Sequence, residues 1–229
     1  NSVGQLGDGT KTDKTSPIQV ATGVSSVSAG SSHTLFIKND GTLWALGDRG
    51  DGQLGDGSTG STIDITNPIQ VATDVRSVSA GGNNSFFIKT DGSLWGMGRN
   101  YDGSLGIGTT SRTGTPTQIT MGVSSVSAGG YTTFFIRSDG SLWAMGTNSS
   151  GQLGDGTTTD RSLPILVATD VSSVSAGISH TLFIKNEQSI WAMGRNNNGQ
   201  FGDGTIGNSI FSPVLITSLV ETLEQPFAP

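Results

Sequence analysis

Short apolar runs alternate with glycine-rich polar stretches along the whole chain, and the same runs keep returning. The segment VSSVSAG at 24–30 comes back as VRSVSAG at 75–81, and as VSSVSAG at 123–129 and 171–177. Behind each lies a β-branched and aromatic run: HTLFIK (33–38), NSFFIK (84–89), TTFFIR (132–137) and HTLFIK (180–185). Then come DGTLWALG (40–47), DGSLWGMG (91–98), DGSLWAMG (139–146) and EQSIWAMG (187–194). A glycine-rich stretch follows: GQLGDGT (4–10), GQLGDGS (52–58), GSLGIGT (103–109), GQLGDGT (151–157) and GQFGDGT (199–205). Each unit ends on a proline-led run: PIQV at 17–20 and 68–71, PTQI at 116–119, PILV at 164–167 and PVLI at 213–216. The repeat step is 51 residues once and otherwise 48.

Each unit predicts four short strands: A (VSSVSA), B (TLFIK), C (LWAMG) and D (PIQV). The Asp-Gly pair between B and C is a tight hairpin signal. Proline opening strand D is tolerated where no ladder N–H is needed. The small residues of strand A, such as Ser28 and Ala29, suit an inner strand near a crowded axis. No stretch has sustained helical periodicity. Four strands per unit at this period predict an all-β chain folded as β-propeller blades. The repeats fill 1–216, in units near 1–47, 48–98, 99–146, 147–194 and 195–216, and 217–229 reads as a degenerate terminal strand and tail. Aligning Pro213 with Pro164 sets Val220 on Val171 and Leu223 on Val174, so LVETLEQ is a decayed strand A. Four complete A-B-C sets and five D strands do not close an obvious circle. Three readings stay open: a fragment of a larger propeller, a small ring with one redundant strand, or an open arc completed by a second copy. Open edges pair with something, so self-association through blade edges is one expectation.

The pattern resembles the regulator of chromosome condensation repeat, in a short form of bacterial type. The matching residues are Ala29-Gly30 with His33-Thr34, Asp40-Gly41 with Trp44 and Gly47, and Asn196 with Gly199-Gln200-Phe201-Gly202. Where that signature has a second tryptophan, this chain reads WALG, WGMG and WAMG. The resemblance implies a propeller, usually of seven blades. It raises guanine-nucleotide exchange on a small GTPase combined with chromatin binding, and the propeller class also includes secreted inhibitors of enzymes such as β-lactamases.

Strand alternation puts the A–B and C–D loops at one end of each blade and the B–C and D–A turns at the other. The turns barely change between units. The A–B loop does: Ser31-Ser32-His33, Gly82-Asn83-Asn84, Gly130-Tyr131-Thr132 and Ile178-Ser179-His180. So does the C–D loop, with DRGD (48–51), RNYD (99–102), TNSS (147–150) and RNNN (195–198). A scaffold copied four times with diversity at one end points to binding there. The candidate contacts are Arg49, Asp51, Asn83, Arg99, Tyr101, Tyr131 and Arg195, because Arg and Tyr often anchor interfaces.

Charge narrows the partner. Twelve Lys and Arg against eighteen Asp and Glu give a net charge of −6, against a phosphate-backbone binder or a polybasic membrane surface. A protein partner is expected, with no nucleic acid and no membrane. With no cysteine there is no disulfide or thiolate chemistry. His33 and His180 occupy one repeat position, three units apart, and read as loop-bonding side chains rather than converging metal ligands. The aspartates of the GDGT runs, Asp8, Asp56, Asp155 and Asp203, read as turn residues. The spacing of a calcium loop is missing, and the third copy has Ile107. Trp44, Trp95, Trp143 and Trp191 read as blade core. No catalytic constellation and no cofactor motif stand out, so the chain reads as a non-enzymatic binding scaffold. The tripeptide Arg49-Gly50-Asp51 aligns with Asn100-Tyr101-Asp102, Asn148-Ser149-Ser150 and Asn196-Asn197-Asn198, which makes it a loop position before it is an adhesion motif.

Overall fold

A computed structural model of the chain describes residues 1–216, so the decayed strand read at 219–225 lies outside the described residues. Sixteen strands form four antiparallel sheets, each in simple A-B-C-D order. The first blade is β1 (Val24–Ala29), β2 (His33–Lys38), β3 (Leu43–Gly47) and β4 (Ile65–Ala72). The second is β5 (Val75–Ala80), β6 (Asn84–Lys89), β7 (Leu94–Gly98) and β8 (Thr113–Thr120). The third is β9 (Val123–Ala128), β10 (Thr132–Arg137), β11 (Leu142–Gly146) and β12 (Arg161–Ala168). The fourth is β13 (Val171–Ala176), β14 (His180–Lys185), β15 (Ile190–Gly194) and β16 (Ile210–Ile216). No helix among the described residues is long and apolar enough to cross a membrane.

Each B–C hairpin is closed by one polar relay. In the first blade, Asp40 accepts the Thr42 N–H at 3.0 Å and its hydroxyl at 2.6 Å, and the Thr42 oxygen accepts the Trp44 indole N–H at 2.8 Å. Asp91-Ser93-Trp95 and Asp139-Ser141-Trp143 repeat it. The hydroxyl bonds hold Asp40, Asp91 and Asp139 below the usual carboxylate range. Each tryptophan is half-buried and lies parallel to the cross-strand phenylalanine, with ring centroids 6.2–6.3 Å apart. A Lys or Arg covers each indole, as Lys38 does Trp44 at 4.2 Å.

Blades join through two devices. The inner strands are stitched by serine: Ser28 accepts the Ala80 N–H at 2.9 Å, Ser79 that of Ala128 at 3.0 Å, and Ser127 that of Ala176 at 3.1 Å. The backbones approach so closely there that a Cβ on Gly81 would sit 2.6 Å from the Gly129 carbonyl, and Gly30 and Gly129 are confined in the same way. The second device is the GQLG stretch, which leaves its own blade and clasps the next. Leu54, from the loop after β3, is fully buried against Met97 and its neighbours in the second blade. Gln53 accepts the Ser85 hydroxyl at 2.7 Å, and Gly57 donates to Gly114 at 2.8 Å. The core is thus a set of sandwiches between blades: Leu35, Ile37, Leu43 and Ala45 of one sheet against Val75, Phe87 and Met97 of the next.

One expected strand differs. Pro17–Val20 is not hydrogen-bonded as a strand, and each of the four C strands among the described residues already pairs with another D strand. The four observed D strands each pair with the C strand of their own sheet.

Candidate binding surface

The antiparallel order puts the A–B and C–D loops together at one end, and a hydrogen bond ties them in every blade. The first residue after strand C donates its N–H to the A–B loop: Asp48 to Ser32, Arg99 to Asn83, Thr147 to Tyr131 and Arg195 to Ser179, all within 2.8–3.0 Å. A buried asparagine then braces the C–D loop. Asn148 accepts the Leu153 N–H at 3.0 Å and donates to Asp155 and the Thr157 carbonyl. Asn100 and Asn196 do the same for Leu105 and Phe201, and Asn1 for Leu6.

Arg49 stands where the other units have that asparagine, and it takes over the donor half of the brace across a longer loop. Its guanidinium donates to the Ile63 carbonyl at 2.8 Å and to Asp56 at 2.6 Å. Asp51 is equally engaged, accepting from Asn83 at 2.9 Å and from Arg112 at 3.1 Å. The arginine and aspartate of the RGD tripeptide therefore turn into the fold. Asp51, Asn83 and Arg112 form a polar network linking the first and second blades, while Arg49 braces its own loop. Comparison of the repeats does not single out Arg112, because it sits at the edge of β8, outside the compared loop segments.

Arg99, Tyr101 and Tyr131 come together in a second group. The Arg99 guanidinium lies 4.5 Å from the Tyr131 ring centroid and 5.4 Å from that of Tyr101, with the Asp102 carboxylate at 3.7 Å. Both rings face solvent, Tyr101 at 52% and Tyr131 at 40% exposure. Tyr131 and Asn83 also rim a shallow axial cavity of about 450 Å³, lined by the glycines of all four A–B loops. Arg195, exposed on the fourth blade, joins neither group.

Among the described residues, the arrangement resembling a nucleophile and base is sealed. His33 Nε2 lies 2.8 Å from the Ser85 hydroxyl, but both side chains are buried and Ser85 gives its proton to the Gln53 carbonyl. His33 therefore donates from Nε2 as a neutral ring, and burial holds its pKa down to about 4. Its partner is a side chain of the next blade, where the sequence suggested loop backbone. The GDGT aspartates cap their own turns: Asp8, Asp155 and Asp203 each accept the N–H and hydroxyl of the threonine two residues on.

Known proteins share this architecture. The yeast RCC1 (Prp20) seen bound to Kap60 superposes with a TM-score of 0.79 at 19% identity, over 92% of this chain and 52% of that one. Human WBSCR16 superposes with a TM-score of 0.74 at 21% identity, over 84% of this chain and 51% of that one. The dog X-linked retinitis pigmentosa GTPase regulator is 33% identical over 113 residues, 47% of this chain and 11% of that protein. The chain thus spans about half the length of the solved propellers it matches and a much smaller part of the regulator. The family model for the RCC1-like domain matches residues 1–226, and the protein belongs to that family.

Proposed function

We propose that this chain is a non-enzymatic binding module that holds a protein partner across its A–B and C–D loops. The observation that carries the reading is the Arg99–Tyr101–Tyr131 group. Two exposed aromatic rings and an arginine, pre-set on a braced loop end, have the composition of an interface anchor. The rigid base beneath them lowers the ordering cost of binding. The yeast relative supports a protein partner, since its structures concern Gsp1p, histones and Kap60. Alanine at Tyr101 together with Tyr131 is expected to weaken a captured partner by tenfold or more, on the order of the anchors' usual contribution. Unchanged binding would remove this face from consideration.

Guanine-nucleotide exchange is the second reading, favoured by similarity to a mouse secretion-regulating guanine nucleotide exchange factor, 32% identical over 114 residues. Accelerated nucleotide release from a loaded small GTPase would move the function there. Self-association has its own support. Val24 is 40% exposed on the first blade, whereas its counterparts Val75, Val123 and Val171 are buried against a preceding blade. Native mass spectrometry of the chain reads this directly, and a monomer at all concentrations would exclude it.

A further inference from the structure

Arg99 has donors and no acceptor. Arg49, Arg76, Arg112, Arg137 and Arg161 each donate a side-chain hydrogen bond to a named oxygen. Arg99 donates none within the described residues, although its Nε is buried. Among the described residues its anionic neighbour is Asp102, at 3.7 Å, beyond hydrogen-bond length. The buried Nε is out of a ligand's reach, so the part of Arg99 that meets a partner is its terminal nitrogens, on a side chain 30% exposed. Meanwhile the two tyrosine rings hold the guanidinium through cation–π contact. Ring contact leaves hydrogen-bonding edges of the fork available. A rigid fork with unspent N–H groups matches a carboxylate, which accepts two parallel bonds.

We infer that Arg99 is a receptor for a carboxylate, and that the protein partner presents an aspartate or glutamate side chain there. The inference rests on the loop end being the binding face. The surroundings favour a singly charged group. Asp102 already lies against Arg99 and offsets part of its charge, which a phosphate dianion would need more than a single carboxylate does. Arg137 is the internal contrast. Its Nε is also without a partner, but its guanidinium lies over Trp143 and donates to Thr120, away from the variable loops.

The test uses the 229-residue chain and a short soluble peptide containing glutamate, with the glutamine version of the same peptide and inorganic phosphate as the other arms. The terminal guanidinium N–H resonance of Arg99, identified by its loss in Arg99→Lys, is expected to shift downfield with the glutamate peptide and stay in place with the glutamine peptide. Arg99→Gln should weaken glutamate-peptide binding by about tenfold or more, the usual worth of a charge-assisted bond. Arg99→Lys should recover part of the binding because it keeps charge but loses the fork. An unmoved resonance with the glutamate peptide, or equal shifts with the glutamine peptide, overturns the inference. A shift with phosphate alone also overturns it, by making the site a phosphate receptor. Failure of the carboxylate is distinguishable from failure of the face. If a partner's binding survives Arg99→Gln but falls with alanine at Tyr101 and Tyr131, the face stands and the carboxylate does not.

Discussion

The two ends of the blades meet the same mechanical demand in opposite ways. At the hairpin end, three units close the B–C turn with the same aspartate, hydroxyl and indole, and the fourth departs only slightly. At the loop end the C–D loops differ in sequence, although two begin Arg-Asn, and each stands on the same base: a clasp leucine or phenylalanine, a bracing Asn or Arg, and a tie to the A–B loop. The base tolerates single exchanges, such as Arg49 for asparagine and Phe201 for leucine, and leaves other loop side chains unused. Tyr101, Tyr131 and the guanidinium of Arg99 sit on it without supporting it, which is how a copied scaffold carries local chemistry without losing its fold.

The strongest way to break that comparison is to attack the base. Leu54 is fully buried between the first two blades. Leu54→Ala is expected to cost about 2–5 kcal/mol, the usual range for a buried leucine lost with partial collapse of its cavity. Tyr101→Ala, on the rim, should stay within about 0.5 kcal/mol of the parent. Urea unfolding of both variants checks the contrast, and similar losses would mean the rim is part of the base.

A second test reaches the layer just below the rim, where the repeat position holds His33, Asn84, Thr132 and His180. His33 has a folded pKa of about 4 against an ordinary 6.5, with burial as the cause. Between those values the unfolded chain binds a proton that the folded chain refuses. The contribution of a neutral His33 is therefore complete above pH 6.5. It is lost progressively as the pH falls toward 4, and below that both states are protonated. The loss amounts to about 3 kcal/mol at its full extent. His33→Asn installs the residue the second blade uses at this place, where Asn84 donates to Ser104 at 3.1 Å. That variant should flatten the stability profile across this window. The depressed carboxylates of the hairpins act lower, near and below their unfolded value of 3.8.

The blades were legible because their signals are local. Asp-Gly hairpins, alternating apolar runs and a fixed period lie within each unit, and the observed strands fall on them. What the sequence did not reveal lies between units. Periodicity shows that GQLG recurs but not that Leu54 packs in the next blade. The four-fold aspartate pattern shows a turn, and the Ser28–Ala80 stitch needs two backbones placed side by side. The loop end was partly legible. Position alone singled out Arg99, Tyr101 and Tyr131, and the fold brings them together. The same reasoning picked out Arg49, whose alignment with Asn100, Asn148 and Asn196 already held the clue to its bracing role. Arg112 was missed because its importance comes from Asp51, sixty-one positions away in sequence.

The smallest expected effect sharpens the hairpin side of the comparison. The first three units place glycine in the turn with positive φ: Gly41 at 78°, Gly92 at 82° and Gly140 at 81°. The fourth has Gln188 at 65°, a left-handed backbone that a side chain pays for through contact between Cβ and the neighbouring carbonyl. The turn nonetheless keeps its form, because the Gln188 N–H still donates to Lys185 at 2.9 Å and Ser189 still links Trp191 to Glu187. Gln188→Gly removes the clash and leaves those bonds, and the greater freedom of glycine in the unfolded chain offsets part of the gain. A net stabilisation of about 1 kcal/mol is expected, read as a rise in the urea midpoint with an unchanged slope. The same glycine-for-side-chain exchange has no counterpart on the rim, where Tyr101 carries no such strain. A midpoint that stays put or falls would mean that the fourth hairpin is held by its polar relay strongly enough to make the left-handed residue immaterial.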